Sequence, residues 1–421
     1  MATGKPTSRI FFRSSCFNCR ESIADRHFIK EFFWIYIIFV SQNKDGMREI
    51  QMVDLKAQYE RIGDEIDTAM RAVLESTAFI KGPEVKLFEE ELHKYLGVKH
   101  VISCANGTDA LQIAMMALNL KPGDEVITTN FTFIATLETV ALLGLKPVIV
   151  DPEEGSFNIS PDAIRKVITP ATKAIVPVHL FGQCSNMEEI IKIATDHNLY
   201  VIEDAAQATG ADYIFGNGRK MKAGTIGHIG TTSFFPSKNL GCYGDGGAIF
   251  TNDDKLASRL RSISNHGMKA RYHYDEVGVN SRLDTLQASL LRVKLKYLDR
   301  FNEERRKVAD FYDKAFAGCK HLLIPERSSF SSHIFHQYTL KIHMKSRDAL
   351  KEYLGEKKIP SMVYYPSPLH LQNAYKYLGY HKGDFPVTEK LCSSVLSLPM
   401  YPELEQDQLD YITTTILNFF E

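Results

Sequence analysis

Between residues 100 and 251 the chain alternates short apolar runs with stretches of helical spacing, and this alternation restricts its fold more than any other feature. The runs are "HVISCAN", "DEVITTN", "PVIVD", "AIVPVHL", "LYVIEDA", "TTSFF" and "GAIFT". Between them lie patterns such as "GTDALQIAMMALNL" and "FTFIATLETVALLG". A strand buried on both faces reads as a continuous apolar run, because neither set of alternating side chains meets water. Seven such runs, separated mostly by helices, predict an α/β layer with a largely parallel sheet covered on both faces.

The pattern changes near residue 280. "NSRLDTLQASLLRVKLKYLDRFNEERRKVADFYDKAF" places Leu283, Leu286, Leu290, Val293 and Leu298 at helical spacing, which predicts one long helix linking two domains. Residues 336–421 then carry "HQYTLKIHM", "PSMVYY", "SSVLSLPM" and a final amphipathic helix, the outline of a small α+β domain. Ahead of the sheet, "PEVKLFEEELHKYLG" has Pro83 suited to a helix's first turn and Gly97 suited to its end. The expected division is a large domain at 52–290, with 52–99 partly against the small domain. A linking helix and connection at 291–335 and the small domain at 336–421 complete it.

The 421 residues, 44% hydrophobic and 24% charged, are enough for a large core. With 50 Lys plus Arg against 51 Asp plus Glu and no long basic block, nucleic acid is not an expected partner. Seven cysteines, an odd number in a long chain, suit a reducing compartment, so the cytoplasm is expected. Cys16 and Cys19 in "CFNC" have no second pair at metal-ligand spacing, and no metal site is expected. The apolar run "FFWIYIIFV", residues 32–40, falls well short of the ~20 residues that span a bilayer. Residues 1–46 read as an extension, disordered or ahead of an internal start near Met47 or Met52, in preference to a membrane-surface anchor. They are given no part in the chemistry.

Ligands of parallel sheets gather at the carboxyl ends of the strands, and three such ends carry chemistry. After "HVISCAN", Gly107-Thr108-Asp109 opens a helix whose free N–H groups attract a phosphate; alternatively Asn106 or Thr108 simply caps it. After "LYVI" come Glu203 and Asp204, with Gln207 three residues on. A buried carboxylate needs a partner, either a protonated ring nitrogen or a salt bridge or helix cap. In "TTSFFPSKNLGCYGDGGAIFT", Lys238 stands between two strands beside Ser233, Ser237 and several glycines. Either it is a surface lysine of a hairpin turn, or it is a partly dry amine of lowered pKa, as a nucleophilic lysine requires. The three together, with Lys238 34 residues after Asp204, match the needs of pyridoxal 5'-phosphate: an amine for its aldehyde, an acid for its ring nitrogen and donors for its phosphate.

These motifs, with "PGDEVIT", "ETVALLG", "VPVHLFGQ", "IEDAAQATGA", "VGVNSRLDTLQAS" and "YYPSPLHLQ", resemble the DegT/DnrJ/EryC1/StrS sugar aminotransferases over roughly residues 52–420. The resemblance implies the aspartate aminotransferase type I fold, with a mixed, mostly parallel seven-stranded sheet and a small α+β C-terminal domain. It implies pyridoxal 5'-phosphate as cofactor, L-glutamate as donor, a UDP-linked keto-sugar as acceptor, and a homodimer with sites at the interface. Lys238 would bond the cofactor's aldehyde and then shuttle the proton. Asp204 would hold the ring nitrogen, Gln207 would lie at the phenolic side, Phe133 would stack on the ring, and Gly107, Thr108 and Ser233 would bind the phosphate. Across the dimer interface Asn280 would reach the neighbour's phosphate and Arg282 a substrate carboxylate. Tyr364, Tyr365, His370 and Gln372 would line the nucleotide-sugar pocket, although relatives often carry His-Tyr-Pro where this chain has Tyr364-Tyr365-Pro366.

Overall fold

All seven apolar runs form strands, and together they make one sheet. The strands are β1 His100–Cys104, β2 Glu125–Thr129, β3 Lys146–Val150, β4 Thr172–Val176, β5 Tyr200–Asp204, β6 Ile229–Ser233 and β7 Gly247–Thr251. The computed structural model describes residues 47–421, so "CFNC" and the apolar run at 32–40 lie outside the described residues. The strand order is β1-β7-β6-β5-β4-β2-β3. All neighbours are parallel except β7, which runs antiparallel to both β1 and β6. The cause is the connection: residues 234–246 join β6 to β7 without a helix, and so short a return brings the chain back in the opposite direction. Between β5 and β6 a two-stranded ribbon, Asp212–Ile214 against Lys220–Lys222, takes the place of a crossover helix.

Strand side chains alternate between the faces, and both faces are buried. Ile102, Val126, Ala174, Val176, Ile202 and Ile249 meet three helices: α3 Gly107–Ala117, α4 Ala135–Leu142 and α7 Asp254–Ile263. Their sequence neighbours Ile127, Ile175 and Val201 point the other way, to α5 Pro161–Val167 and α6 Met187–Asp196. Val101, Ala248 and Phe250 meet α1 Leu55–Ser76, α2 Pro83–Leu96 and α8 Thr285–Leu295 on that second face. Pro83 begins α2, and Gly97 ends it at φ 67°, the left-handed conformation that glycine adopts without a Cβ clash.

The predicted long helix is two helices, α8 and α9 Leu298–Phe316. The N–H groups of Lys296 and Tyr297 bond three residues back, to Val293 and Lys294, which tightens the end of α8. Tyr297, the cap between the two helices, stands at the edge of the right-handed helical region at φ −103°, ψ −5°. Helix α8 is buried almost all round and α9 along one stripe, so the break lets each segment take the direction its own surface requires. Beyond α9, strands β8 Leu322–Leu323, β9 Tyr338–Ile342 and β10 Val395–Leu398 form a small antiparallel sheet with β9 at its centre. "PSMVYY" adds to it a single bridge, Met362 to Ser397. Helices α10 Met344–Glu356, α11 Pro386–Ser394 and α12 Gln406–Phe420 surround that sheet, and residues 50–421 pack as one unit.

Candidate active site

A cavity of about 600 Å³ opens at the carboxyl ends of β1, β5 and β6. Gly107, Thr108, Phe133, Asp204, Gln207, Ser233, Lys238, Tyr364 and Tyr365 all line it. Its volume is that of a site for a small organic ligand.

Helix α3 aims its amino end into this space. Asn106 is the cap, its Oδ1 accepting from the Asp109 N–H at 2.8 Å, while the N–H groups of Gly107 and Thr108 precede the first intrahelical bond. The helix start is pressed onto the strand ends: a Cβ on Gly107 would come 2.7 Å from the Ser233 Cβ, and one on Gly247 would come 2.4 Å from the Asn106 carbonyl oxygen. Only glycines allow this approach, which brings the Ser233 hydroxyl beside the helix's positive end.

The period-two alternation of β5 sends its two terminal acids to opposite faces. Asp204 faces α4, where the Thr136 hydroxyl donates to Oδ2 at 2.8 Å and the Ala206 N–H donates to Oδ1 at 3.1 Å. Glu203 faces away and is wholly buried, accepting from His179 Nε2 at 2.8 Å and from the N–H groups of Gly224, Ile226 and Gly227 at 2.9, 2.6 and 2.5 Å. The Ser185 N–H donates to His179 Nδ1 at 3.1 Å, which places the imidazole proton on Nε2, toward Glu203. Glu203 is thus fully engaged as an anchor, and only Asp204 is left facing the cavity.

Lys238 hangs from the β6–β7 return. That loop is pinned where Phe234 and Gly246 pair at 2.7 Å, where the Cys242 N–H meets the Phe234 carbonyl at 2.7 Å, and by a tight turn from Lys238 N–H to the Phe235 carbonyl at 2.8 Å. The residue opens on the cavity, while its amine lies deep enough that burial lowers it to about 8, against the opposing pull of the Asp204 charge.

Phe133 is 55% exposed, an apolar ring held open on a cavity wall, which suits it to cover the face of a planar ligand. Gln207 ties the wall together: its Oε1 accepts from the Phe181 N–H at 2.8 Å, and its Nε2 donates to the Tyr365 hydroxyl at 3.1 Å. Four candidates from the sequence are not on the wall. A short 3₁₀ turn, Leu369–Leu371, directs His370 away to Asn130, with its Nδ1 2.7 Å from Asn130 Nδ2 and its ring against Phe385. Gln372 follows that turn. Asn280 is exposed and Arg282 half-buried, both outside the cavity. Conversely, Thr136, His336 and Gln337 belong to the site and were not singled out from the sequence. Thr136 does fall within the quoted "FTFIAT", three residues after Phe133.

The donors at the α3 start, the Ser233 hydroxyl, the Asp204 carboxylate, the Lys238 amine and the open Phe133 ring fit a phosphorylated pyridine carbaldehyde. Among the described residues, no group of three or more His, Cys, Asp or Glu side chains could hold a metal ion. No helix among them is long and apolar enough to cross a membrane.

Fold and site together define an α/β protein whose half-buried lysine and buried aspartate share one cavity with a helix start. Residues 60–417 match the model of the DegT/DnrJ/EryC1/StrS aminotransferase family, and the chain belongs to that family. It is 47% identical over 373 residues to the "Pleiotropic regulatory protein" of Geobacillus stearothermophilus, spanning 88% of this chain and 98% of that one. Over 369 residues it is 46% identical to the UDP-2-acetamido-2-deoxy-3-oxo-D-glucuronate aminotransferase of Pseudomonas aeruginosa, spanning 88% of this chain and all of that one. It is 39% identical over 359 residues to the dTDP-3-amino-3,4,6-trideoxy-alpha-D-glucose transaminase of Streptomyces venezuelae, spanning 85% of this chain and 93% of that one. Among solved structures, the Brucella abortus aminotransferase of this family superposes with a TM-score of 0.82 at 42% identity, covering 88% of this chain and 99% of that one. NtdA of Bacillus subtilis, with bound cofactor PMP, gives 0.81 at 33% identity, covering 91% and 87%.

Proposed function

We propose that the protein is a pyridoxal 5'-phosphate-dependent aminotransferase that moves the amino group of L-glutamate to C3 of a UDP-linked keto-sugar in surface polysaccharide (O-antigen) assembly. We take UDP-2-acetamido-2-deoxy-3-oxo-glucuronate as that sugar, on the strength of the 46% identical Pseudomonas aeruginosa relative. The observation that carries the reading is the meeting on one cavity wall of a lysine amine lowered to about 8 and a buried, oriented aspartate.

When bound, the cofactor supplies the carbonyl that takes the amino group and the conjugated ring that stabilises negative charge on carbon. The protein supplies placement and protons. With its pKa near 8, about a tenth of the Lys238 amine is neutral at pH 7, roughly 300-fold more than for a lysine at 10.5. That neutral Nζ is the form able to bond an aldehyde, and as a free amine it would move the proton at the carbon that loses or gains nitrogen. Asp204, steadied by Thr136 and Ala206, would hold the ring nitrogen, and Gln207 would lie at the phenolic side. Gly107, Thr108 and Ser233 would hold the phosphate, Phe133 would cover the ring, and Tyr364 and Tyr365 would meet the sugar.

We assign Asn280 and Arg282 to the site of a second copy, in a homodimer. The support is charge: among the described residues lining the cavity, Asp109, Asp204 and Asp245 face one cationic side chain, Lys238. Glutamate carboxylates and a nucleotide diphosphate need more cations than that, and the bidentate fork of Arg282 is the kind required. An active monomer in sedimentation at assay concentration would contradict this assignment.

The functional reading is tested with purified protein and added cofactor. Borohydride is expected to fix the cofactor to Lys238, glutamate to shift the visible absorbance band, and the UDP-3-keto-uronate to shift it back. Full activity of Lys238→Ala would overturn the reading. The 47% identity to a protein named as a regulator favours one rival, a cofactor-binding regulator without turnover, and a band indifferent to glutamate would establish it. Recovery of the band with a dTDP-linked or 4-keto sugar alone would move the substrate to that class.

A further inference from the structure

We propose that His336 is a positioning residue for Lys238: a neutral imidazole that accepts a hydrogen bond from the Lys238 ammonium when that amine is free and protonated. The proposal rests on Lys238 being the reactive amine of the site.

His336 is 5% exposed and forms part of the cavity wall that Lys238 also lines. Its Nδ1 is buried without a hydrogen-bond partner, unlike the Nδ1 atoms of His179 and His333, each of which accepts a backbone N–H. A buried polar atom left unmatched is unfavourable and rare, and beside a cavity it leaves a hydrogen-bonding position for a group on the same wall. The backbone on both sides of His336 is clamped. Phe335 is held at φ 47°, a left-handed conformation uncommon for a residue with a Cβ, which persists only where its surroundings impose it. They do so here: the Phe335 N–H donates to His333 Nδ1 at 3.0 Å, the two rings stack at 3.8 Å, and Arg305 Nη1 donates to the Phe335 carbonyl at 3.2 Å. On the other side the Gln337 N–H donates to the Phe181 carbonyl at 3.3 Å. Against the His336 N–H lies Gly182, at φ 102°, where a Cβ would come within 2.9 Å.

The charges around the imidazole keep it neutral. Burial, then the Lys238 charge, then the Arg305 charge, all lower its pKa well below the ordinary histidine value, and no carboxylate opposes them. A neutral imidazole offers one acceptor nitrogen, and a half-turn of the ring exchanges the position of that nitrogen. Asp204, whose charge acts on Lys238 from the neighbouring strand, already accepts from Thr136 and Ala206. The imidazole is therefore the wholly unpartnered acceptor on this wall, offered to the ammonium beside a carboxylate that is already held in place. Through that bond it fixes where Nζ waits between its two proton transfers.

The test reads Lys238 in the cofactor-free protein, by the pH dependence of its acylation with acetic anhydride, quantified at the Lys238 peptide by mass spectrometry. His336→Phe, which keeps bulk and removes the acceptor, is expected to lower the titration midpoint by about one pH unit, a tenfold change in proton affinity. His336→Gln, which restores an acceptor oxygen, is expected to return it to within ~0.3 of wild type. An unchanged midpoint in His336→Phe, or equal shifts in both variants, would overturn the proposal, since a packing role predicts no rescue. Should His336→Phe not fold, His336→Met takes its place with the same two outcomes. Failure of the aminotransferase reading shows separately, as absence of borohydride fixation at Lys238 in the wild type.

Discussion

Replacing Lys238 by methionine should make the cofactor-free protein more stable, and only over a defined range of pH. The amine titrates at about 8 in the folded chain and at its ordinary 10.5 in the unfolded one, with burial the cause. Between those values the unfolded chain holds a proton that the folded chain has lost, so stability rises with pH across the window. Below about pH 8 both states are protonated and the full penalty of burying the ammonium is present; above 10.5 neither is, and the penalty is gone. At 1.36 kcal/mol per pH unit the ceiling is ~3.4 kcal/mol. Because the residue opens on a cavity that water enters, about half of that is the better expectation, ~1.5 to 2 kcal/mol. Methionine has nearly the length of the lysine stem and no charge to desolvate. Urea unfolding of cofactor-free wild type and Lys238→Met should therefore differ by ~1.5 to 2 kcal/mol at pH 7 in favour of the variant, and by close to zero at pH 10.5. A variant no more stable at pH 7, or a gap that does not change with pH, would refute the claim that this lysine is held as a strained amine.

Two further outcomes follow from the geometry. Gly107→Ala puts a Cβ 2.7 Å from the Ser233 Cβ, so the α3 start must back away from β6. At ~1–3 kcal/mol for such overpacking, urea unfolding of the cofactor-free protein should show a loss of that size, and the affinity for pyridoxal 5'-phosphate should fall ~10-fold or more in an absorbance titration. Glu203→Leu removes the acceptor of four bonds and leaves His179 and three N–H groups unmatched in the interior. Urea unfolding should show a loss of ~3–5 kcal/mol, and a loss under ~1 kcal/mol would mean that this pair does not anchor the end of β5.

What the sequence revealed followed from local pattern. The seven strands were legible because burial on both faces removes polar residues from each run, and the α2 ends were legible because Pro83 and Gly97 have conformational reasons to be there. The direction of β7 was implicit in the missing helix between Ser233 and Gly247. The alternation of β5 also made it certain that Glu203 and Asp204 would part, though not which of them would reach the cavity. Contributions from distant sequence were illegible. His336 and Gln337 lie just ahead of a strand of the small sheet and share a cavity wall with Lys238 only through the tertiary path. His370 follows Tyr365 closely enough to look like part of the same wall, and a single 3₁₀ turn sends it to Asn130. The break between α8 and α9 carries no glycine or proline, so periodicity ran straight through it.

Burial and a lowered pKa do not by themselves put an amine within reach of a ligand, as a second residue in this chain shows. Lys294 in α8 is 2% exposed, its Nζ has no hydrogen-bond partner and lies 4.5 Å from the centre of the Tyr243 ring. Burial lowers it to about 8, with Cys242 and Glu403 acting the other way, the same value that Lys238 reaches. Acidity alone would rank the two amines equally. They differ in access: Lys238 comes from a return loop at a strand end and shares a cavity with Asp204, whereas Lys294 is enclosed among the apolar residues of a helix that packs on every side. That difference was written in the sequence, since Lys294 falls within the helical spacing of Leu290, Leu291 and Val293, and Lys238 interrupts two strands beside serines and glycines. The carboxyl edge of the sheet is therefore what turns a costly buried amine into a usable one, because only there does burial coincide with an entrance for the ligand that relieves it.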